Sequence, residues 1–293
     1  ASTRNTEIIR SFLRLTEYAE QNNVRAVIIA GDMFDGERVK VRTVDEILDA
    51  IRRTSKVDYL YLAGNHDGAT YAFADHDMPD NLKIFGKEWT TYEYDDVIIS
   101  GIEICEANAY SLYSQIPHKD DTVNIVTLHG QAGTVSGMDQ INISQLKNKG
   151  IDYLALGHIH SYMEQSLDDK GIYCYAGCME GRGFDECGAK GFVLLTVDSG
   201  RIQHEFVPFS CRQLHRVSVD ITGLTKNSEI GQKMKEATTN ISSEDMVEFL
   251  LSGELDPTAN IAVSYLQNLV KSDFFFVKIK NETHMAINPD DFK

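Results

Sequence analysis

Four short clusters along the chain carry the side chains that bind metal ions: Gly31-Asp32-Met33-Phe34-Asp35, Gly64-Asn65-His66-Asp67, His129-Gly130 and Gly157-His158-Ile159-His160. Carboxylate, amide oxygen and imidazole are ligands that suit Mn, Fe or Zn, and the glycine in each cluster permits a sharp turn and close backbone approach. Taken singly, a Gly-Asp turn or a strand-terminal His is ordinary loop chemistry. Four such clusters, each closing a short apolar run, are far less expected by chance and point to one polar centre assembled from distant segments.

The elements around them explain how they can meet. Glu7–Glu20 has the spacing of an amphipathic helix, with Ile8, Ile9, Phe12, Leu13, Leu15 and Ala19 at near-helical intervals. Residues 25–30 form a short apolar run ended by Gly31-Asp32, as expected of a buried strand. A second helix around Val41–Arg53 leads to another run, 59–63, ended by Gly64-Asn65, which makes a parallel βαβ unit. Strands follow between Lys83 and Ile104. Two more apolar runs, 123–128 and 152–156, end at His129-Gly130 and Gly157-His158, with a weak helical signal at 144–149 between them. The tail to 208 reads as β-rich. So many strands imply two packed sheets with helices outside. In open α/β sheets the loops beyond the strand carboxyl ends converge at one edge, which brings the clusters together.

Near Ser210 the pattern restarts as strand, helix, strand, helix, strand, and predicts a small separate α/β unit. The expected domains are therefore 1–208 and 209–293. The chain has 293 residues, 42% apolar and 25% charged with 5 Pro, which excludes a disordered chain, a collagen and a small disulfide scaffold. Five cysteines, Cys105, Cys174, Cys178, Cys187 and Cys211, are odd in number and sparse, and favour a reducing compartment. No apolar run approaches the length of a membrane span and the start shows no signal-peptide pattern, so the expectation is a soluble, cytoplasmic protein without a membrane partner. The net charge of -16 argues against coating nucleic acid through bulk charge, although bound divalent metals can reverse the potential locally.

In their order and composition these clusters resemble the motifs of the calcineurin-like metallophosphoesterases. Within that superfamily GDMFD, LAGNHDG and LGHIH, with residues 175–184 and Gly188-Ala-Lys-Gly191 downstream, look like the SbcD-type DNA-repair exonucleases. The resemblance covers residues 25–208 well; 209–293 is similar to the family's capping domain only in position and coarse pattern. It implies two divalent metal ions, manganese on the family pattern, that share a hydroxide as nucleophile. Asp32 would bridge the metals, Asn65, His129 and His158 would complete the shell of one, and His160 would bind the other. His66 would stay off the metal to bind a phosphoryl oxygen or protonate the leaving group, with Asp35 orienting its ring. Arg182 could hold a substrate phosphate, or be a plain exposed turn arginine. The family's first motif, D-x-H, has no match before Asp32. Two ligands of the second metal are then missing, either because the chain starts downstream of the first strand, the better explanation, or because the protein binds one metal.

The function expected from this resemblance is a metal-dependent phosphodiesterase of the DNA-repair exonuclease type, acting on DNA, with an SMC-like ATPase and a second copy of the chain as partners. Two rivals stand beside it: a small-molecule phosphatase or cyclic-nucleotide phosphodiesterase, and a catalytically weak binding or scaffold subunit.

Overall fold

A computed structural model describes residues 2–34, 40–64, 73, 76–255 and 258–285. It divides into two compact units, one of residues 1–179 and 190–209 and one of 180–189 and 210–293. The segment 180–189, which the linear reading leaves with the first domain, groups with the second unit.

The first unit opens with helix α1 (Ser2–Gln21), strand β1 (Ala26–Ala30), helix α2 (Val41–Arg53) and strands β2 (Asp58–Leu62) and β3 (Leu82–Ile84). Strands β1, β2 and β3 form a parallel sheet in that order. Strands β4 (Thr90–Tyr94), β5 (Val97–Gly101), β6 (Val123–His129), β7 (Gln131–Gly133), β8 (Gln140–Asn142), β9 (Tyr153–Gly157), β10 (Met163–Ser166) and β11 (Ile172–Tyr175) follow. Six of these build a second sheet in the order β10-β11-β9-β6-β5-β4, in which β5, β6, β9 and β11 run parallel. An antiparallel pair, β12 (Gly191–Asp198) and β13 (Arg201–Pro208), completes the unit.

Side-chain alternation builds the layers. Leu60 and Leu62 of β2 meet Ile125, Tyr153 and Cys174 from the six-stranded sheet, and half-buried Val193 and Leu195 of β12 close the same core. The alternate residues Tyr59 and Tyr61 face the other way, against Val44, Ile47, Leu48 and Ile51 of α2 and Ala19 of α1. Strands buried on both faces need apolar residues at successive positions, and β6 is buried from end to end. The expected two-sheet sandwich is thus the architecture. Its helices cover the three-stranded sheet; the outer face of the six-stranded sheet is instead closed by connecting segments that bring Leu112, Tyr113, Ile141, Leu146 and Ile151 onto Val126, Leu128, Leu154 and Leu156. The helical signal at 144–149 is realised only as a single 3-10 turn, Ile143–Gln145, capped by the Asn142 side chain accepting from the Ser144 N–H. The polar run Lys147-Asn148-Lys149 and a left-handed Gly150 (φ 76°) end it before an α-helix can form.

The second unit contains β14 (Leu214–Asp220), α3 (Asn227–Glu236), β15 (Met246–Ser252), a short β16 (Glu254–Leu255), α4 (Val263–Val270), β17 (Phe276–Asn281) and β18 (His284–Met285). Strands β14, β15 and β17 form a parallel sheet with β15 in the centre. Val219, Val247, Phe249, Leu251 and Val277 pack against Ile230 and Met234 of α3 and Leu266 and Val270 of α4. No helix among the described residues is long and apolar enough to cross a membrane.

Candidate metal centre

Strand β1 leads directly into Gly31-Asp32 and β2 through Ala63 into Gly64, while β6 ends on His129 and β9 on Gly157, just before His158. In the second sheet β6 and β9 run parallel with His129 paired to Gly157, so two of the clusters leave the sheet at one level.

The imidazole of His129 is the pivot. It is 5% exposed, its Nδ1 donates to the Ala30 carbonyl at 2.8 Å, and its Nε2 stands 3.3 Å from Asp32 Oδ2. The glycines of the other clusters make room for this ring. A Cβ on Gly31 would lie 2.2 Å from His129 Nδ1, one on Gly157 only 1.6 Å from the Ala30 oxygen and 2.8 Å from Nδ1, and one on Gly64 2.4 Å from Asp32 Oδ1. The glycines of these three clusters are therefore packing requirements imposed by His129, Asp32 and the Ala30 carbonyl. Asp32 itself has φ 53°, a left-handed conformation that Asp tolerates better than most residues. Its loop is anchored by buried Phe34, edge-on to Phe73 at 5.5 Å between centroids.

His158 completes the group. Its ring lies edge-on to that of His129 at 5.5 Å, and one ligand atom from each of Asp32, His129 and His158 falls within 4.8 Å of the others. Burial pushes the His158 imidazole below its ordinary value; His129 and His160 add to the shift, and Asp32 and Asp139 oppose it. The ring is accordingly held neutral near pH 7, the form that offers a lone pair to a metal. Its Nδ1 is buried with no hydrogen-bond partner among the described residues.

This donor set fits a divalent cation. With Nδ1–H of His129 committed to a carbonyl, the neutral form of the ring would turn its Nε2 lone pair toward Asp32, and a cation between them would bind both. The buried nitrogen of His158 needs the same. One carboxylate and two imidazoles suit Mn, Fe or Zn.

The other expected residues are placed differently. His160 lies in the same turn as His158 but outside the three-residue group; its ligand nitrogen is within 4.8 Å of Cys178 Sγ. Arg182 is an exposed residue of the second unit, and its backbone N–H bonds the Glu186 carboxylate at 2.7 Å. Asp35, Asn65 and His66 lie outside the described residues. Two supporting residues escape motif reading. The hydroxyl of buried Tyr175 donates to the Gly130 carbonyl and accepts the Ala132 N–H, both at 2.7 Å, and so clamps the turn after His129. Burial raises its pKa to about 12, so it remains a donor at neutral pH. Asp139 contributes negative charge near His158. Neither has a spacing that sequence alone could have singled out.

The family model of the calcineurin-like phosphoesterases matches residues 6–162, more than half of the chain and the stretch that holds Asp32, His129 and His158. The chain belongs to this family. The chemistry of the calcineurin-like phosphoesterases is metal-dependent hydrolysis of phosphate esters, and the chain carries their metallophosphoesterase domain. Among relatives of this chain, the uncharacterized metallophosphoesterase YhaO of Bacillus subtilis is 23% identical over 246 residues, 79% of this chain and 60% of that protein. The DNA double-strand break repair protein Mre11 of Sulfurisphaera tokodaii is 24% identical over 291 residues, 91% of this chain and 72% of its own length. Mre11 of Sulfolobus acidocaldarius is 23% identical, with shares of 91% and 74%. The chain therefore spans 60 to 74% of the length of these three relatives.

Proposed function

We propose that this metallophosphoesterase is a phosphodiesterase acting on DNA, an exonuclease of the SbcD and Mre11 kind. The observation that carries the reading is the convergence of Asp32, His129 and His158 on one point, with His129 Nδ1 spent on the Ala30 carbonyl and its Nε2 facing Asp32. These three side chains would hold the metal, with Asn65 as a further ligand. A bound divalent cation supplies Lewis-acid stabilisation of charge developing on the phosphoryl oxygens. His66 delivers a proton to the leaving alkoxide, and Asp35 orients its ring. Manganese, a second ion at His160, phosphate binding by Arg182, and assembly with an SMC-like ATPase or a second copy belong to the same proposal. DNA as substrate is supported by the Mre11 relatives, whose similarity extends over 91% of the chain and so reaches well into the second unit.

The net charge of -16 favours a rival, hydrolysis of small phosphate esters, since an acidic protein repels a polyanion. Single-stranded DNA, a cyclic nucleotide and a phosphate monoester, compared at low salt with added manganese, separate the two. The expected result is degradation of DNA that chelation abolishes. Faster turnover of the cyclic nucleotide or monoester overturns the DNA assignment. A folded protein that binds no transition metal and cleaves nothing is instead a scaffold.

A further inference from the structure

Lys190 is only 3% exposed. Lysines are almost never buried so fully without a counter-charge, yet among the described residues this ammonium pairs with no carboxylate. It donates instead to the backbone carbonyl of His160, at 2.7 Å. The same oxygen accepts the Cys178 N–H and the Cys178 thiol, each at 3.4 Å. Gly177 passes so close that a Cβ there would stand 3.1 Å from the His160 oxygen and 3.0 Å from the Tyr162 nitrogen. The peptide after His160 is thus held from several sides, and one of the donors is a buried cation.

Two residues upstream, His158 has φ 106°, a conformation that side-chain-bearing residues rarely adopt. Such a backbone persists only where its surroundings over-determine it. Upstream, Gly157 is paired to His129 in the β6–β9 ladder. Downstream, Ile159 packs against the core of the second sheet and the His160 carbonyl is the point that Lys190 grips. The strained histidine is held at both ends, and the downstream grip is a charge-assisted bond, stronger than a neutral donor provides. An apolar side chain would fill the same space without the desolvation of an ammonium, so stability alone does not account for a lysine here.

We propose that Lys190 is a positioning residue of the metal centre: its buried ammonium holds the His160 carbonyl and thereby sets the turn that presents His158 to the cation of the Asp32 group and His160 to the second one. The inference rests on the metal-centre reading. The experiment follows each imidazole by proton–nitrogen spectra through a zinc titration of the wild-type chain, Lys190→Met and Lys190→Arg, with urea unfolding in parallel. In the wild type the His129, His158 and His160 rings all respond to zinc. In Lys190→Met the fold is kept with an equal or higher unfolding midpoint, while His158 and His160 need about 10–100-fold more zinc, the usual cost of losing an outer support of a metal ligand. Lys190→Arg, which keeps a cationic donor, recovers the wild-type response. Should Lys190→Met not fold, Lys190→Gln is read in the same way. A wild-type zinc response in the neutral variant, a His160 ring that ignores zinc in the wild type, or loss of fold in both neutral variants overturns the assignment. If His129 and His158 themselves ignore zinc in the wild type, it is the metal centre that fails.

Discussion

His129 shows how one side chain can organise a centre. Its Nδ1 is spent on the Ala30 carbonyl, its Nε2 faces Asp32, and glycines from three other clusters line its ring. A cation between Nε2, Asp32 and His158 would neutralise donors that otherwise confront one another. From this follows a pair of contrasting outcomes. His158→Ala is expected to lower bound metal and turnover together, read by elemental analysis alongside phosphodiesterase rate. His66→Ala is expected to leave metal content unchanged and slow turnover by about 10²–10⁴-fold, as loss of a general acid does. Unchanged metal content in the His158 variant would remove that residue from the centre. Asp32, His129 and His158, which the structure brings together, were legible because carboxylate and imidazole are the side chains that coordination chemistry uses. Tyr175 and Lys190 were not, because a clamp is recognised only by what it touches.

At the level of elements, the two sheets of the first unit are tied together at Gly157, where β9 crosses the end of β1 so closely that a methyl group would overlap the Ala30 oxygen. Gly157→Ala must push the strands apart or bend β9, with an expected loss of about 1–3 kcal/mol, measurable by urea unfolding, and weaker metal binding because the His129 bond to Ala30 is disturbed. In the second unit the central strand carries Glu248, fully buried, within 2.7–3.4 Å of Arg216, Lys278 and Lys280 from both neighbouring strands. Burial alone would raise its pKa, but these three cations outweigh that and hold it below the ordinary carboxylate value. The folded state therefore binds this proton less readily than the unfolded one. Its stabilisation is complete above the ordinary carboxylate pKa and disappears as the pH falls through the lowered one. Glu248→Gln should cost about 1–3 kcal/mol at neutral pH, and the gap to the wild type should close on acidification; a pH-independent gap would refute the ionic origin. Helix positions were readable from apolar spacing, as at Val44, Ile47, Leu48 and Ile51, whereas the helical signal at 144–149 failed because only Leu146 of that segment is buried.

For the whole molecule, metal and fold are linked. A cation that binds only the folded chain stabilises it by about 2.7 kcal/mol when present at 100 times its dissociation constant. Manganese is accordingly expected to raise the thermal midpoint of the wild type, and to leave that of Asp32→Asn nearly unmoved. An equal rise in both would place the cation elsewhere. By itself the amino-acid sequence determined the donor types, the apolar runs that end in them and the parallel βαβ logic that sends them to one edge, because residue chemistry and side-chain period are local properties. Which donors actually meet was decided only by tertiary structure. Asp32, His129 and His158 share one point while His160, two residues from His158, turns toward Cys178, since a left-handed backbone at His158 redirects the chain. The grouping of 180–189 with the second unit was hidden for a similar reason. Compactness depends on contacts between residues far apart in the chain, and no local pattern encodes them.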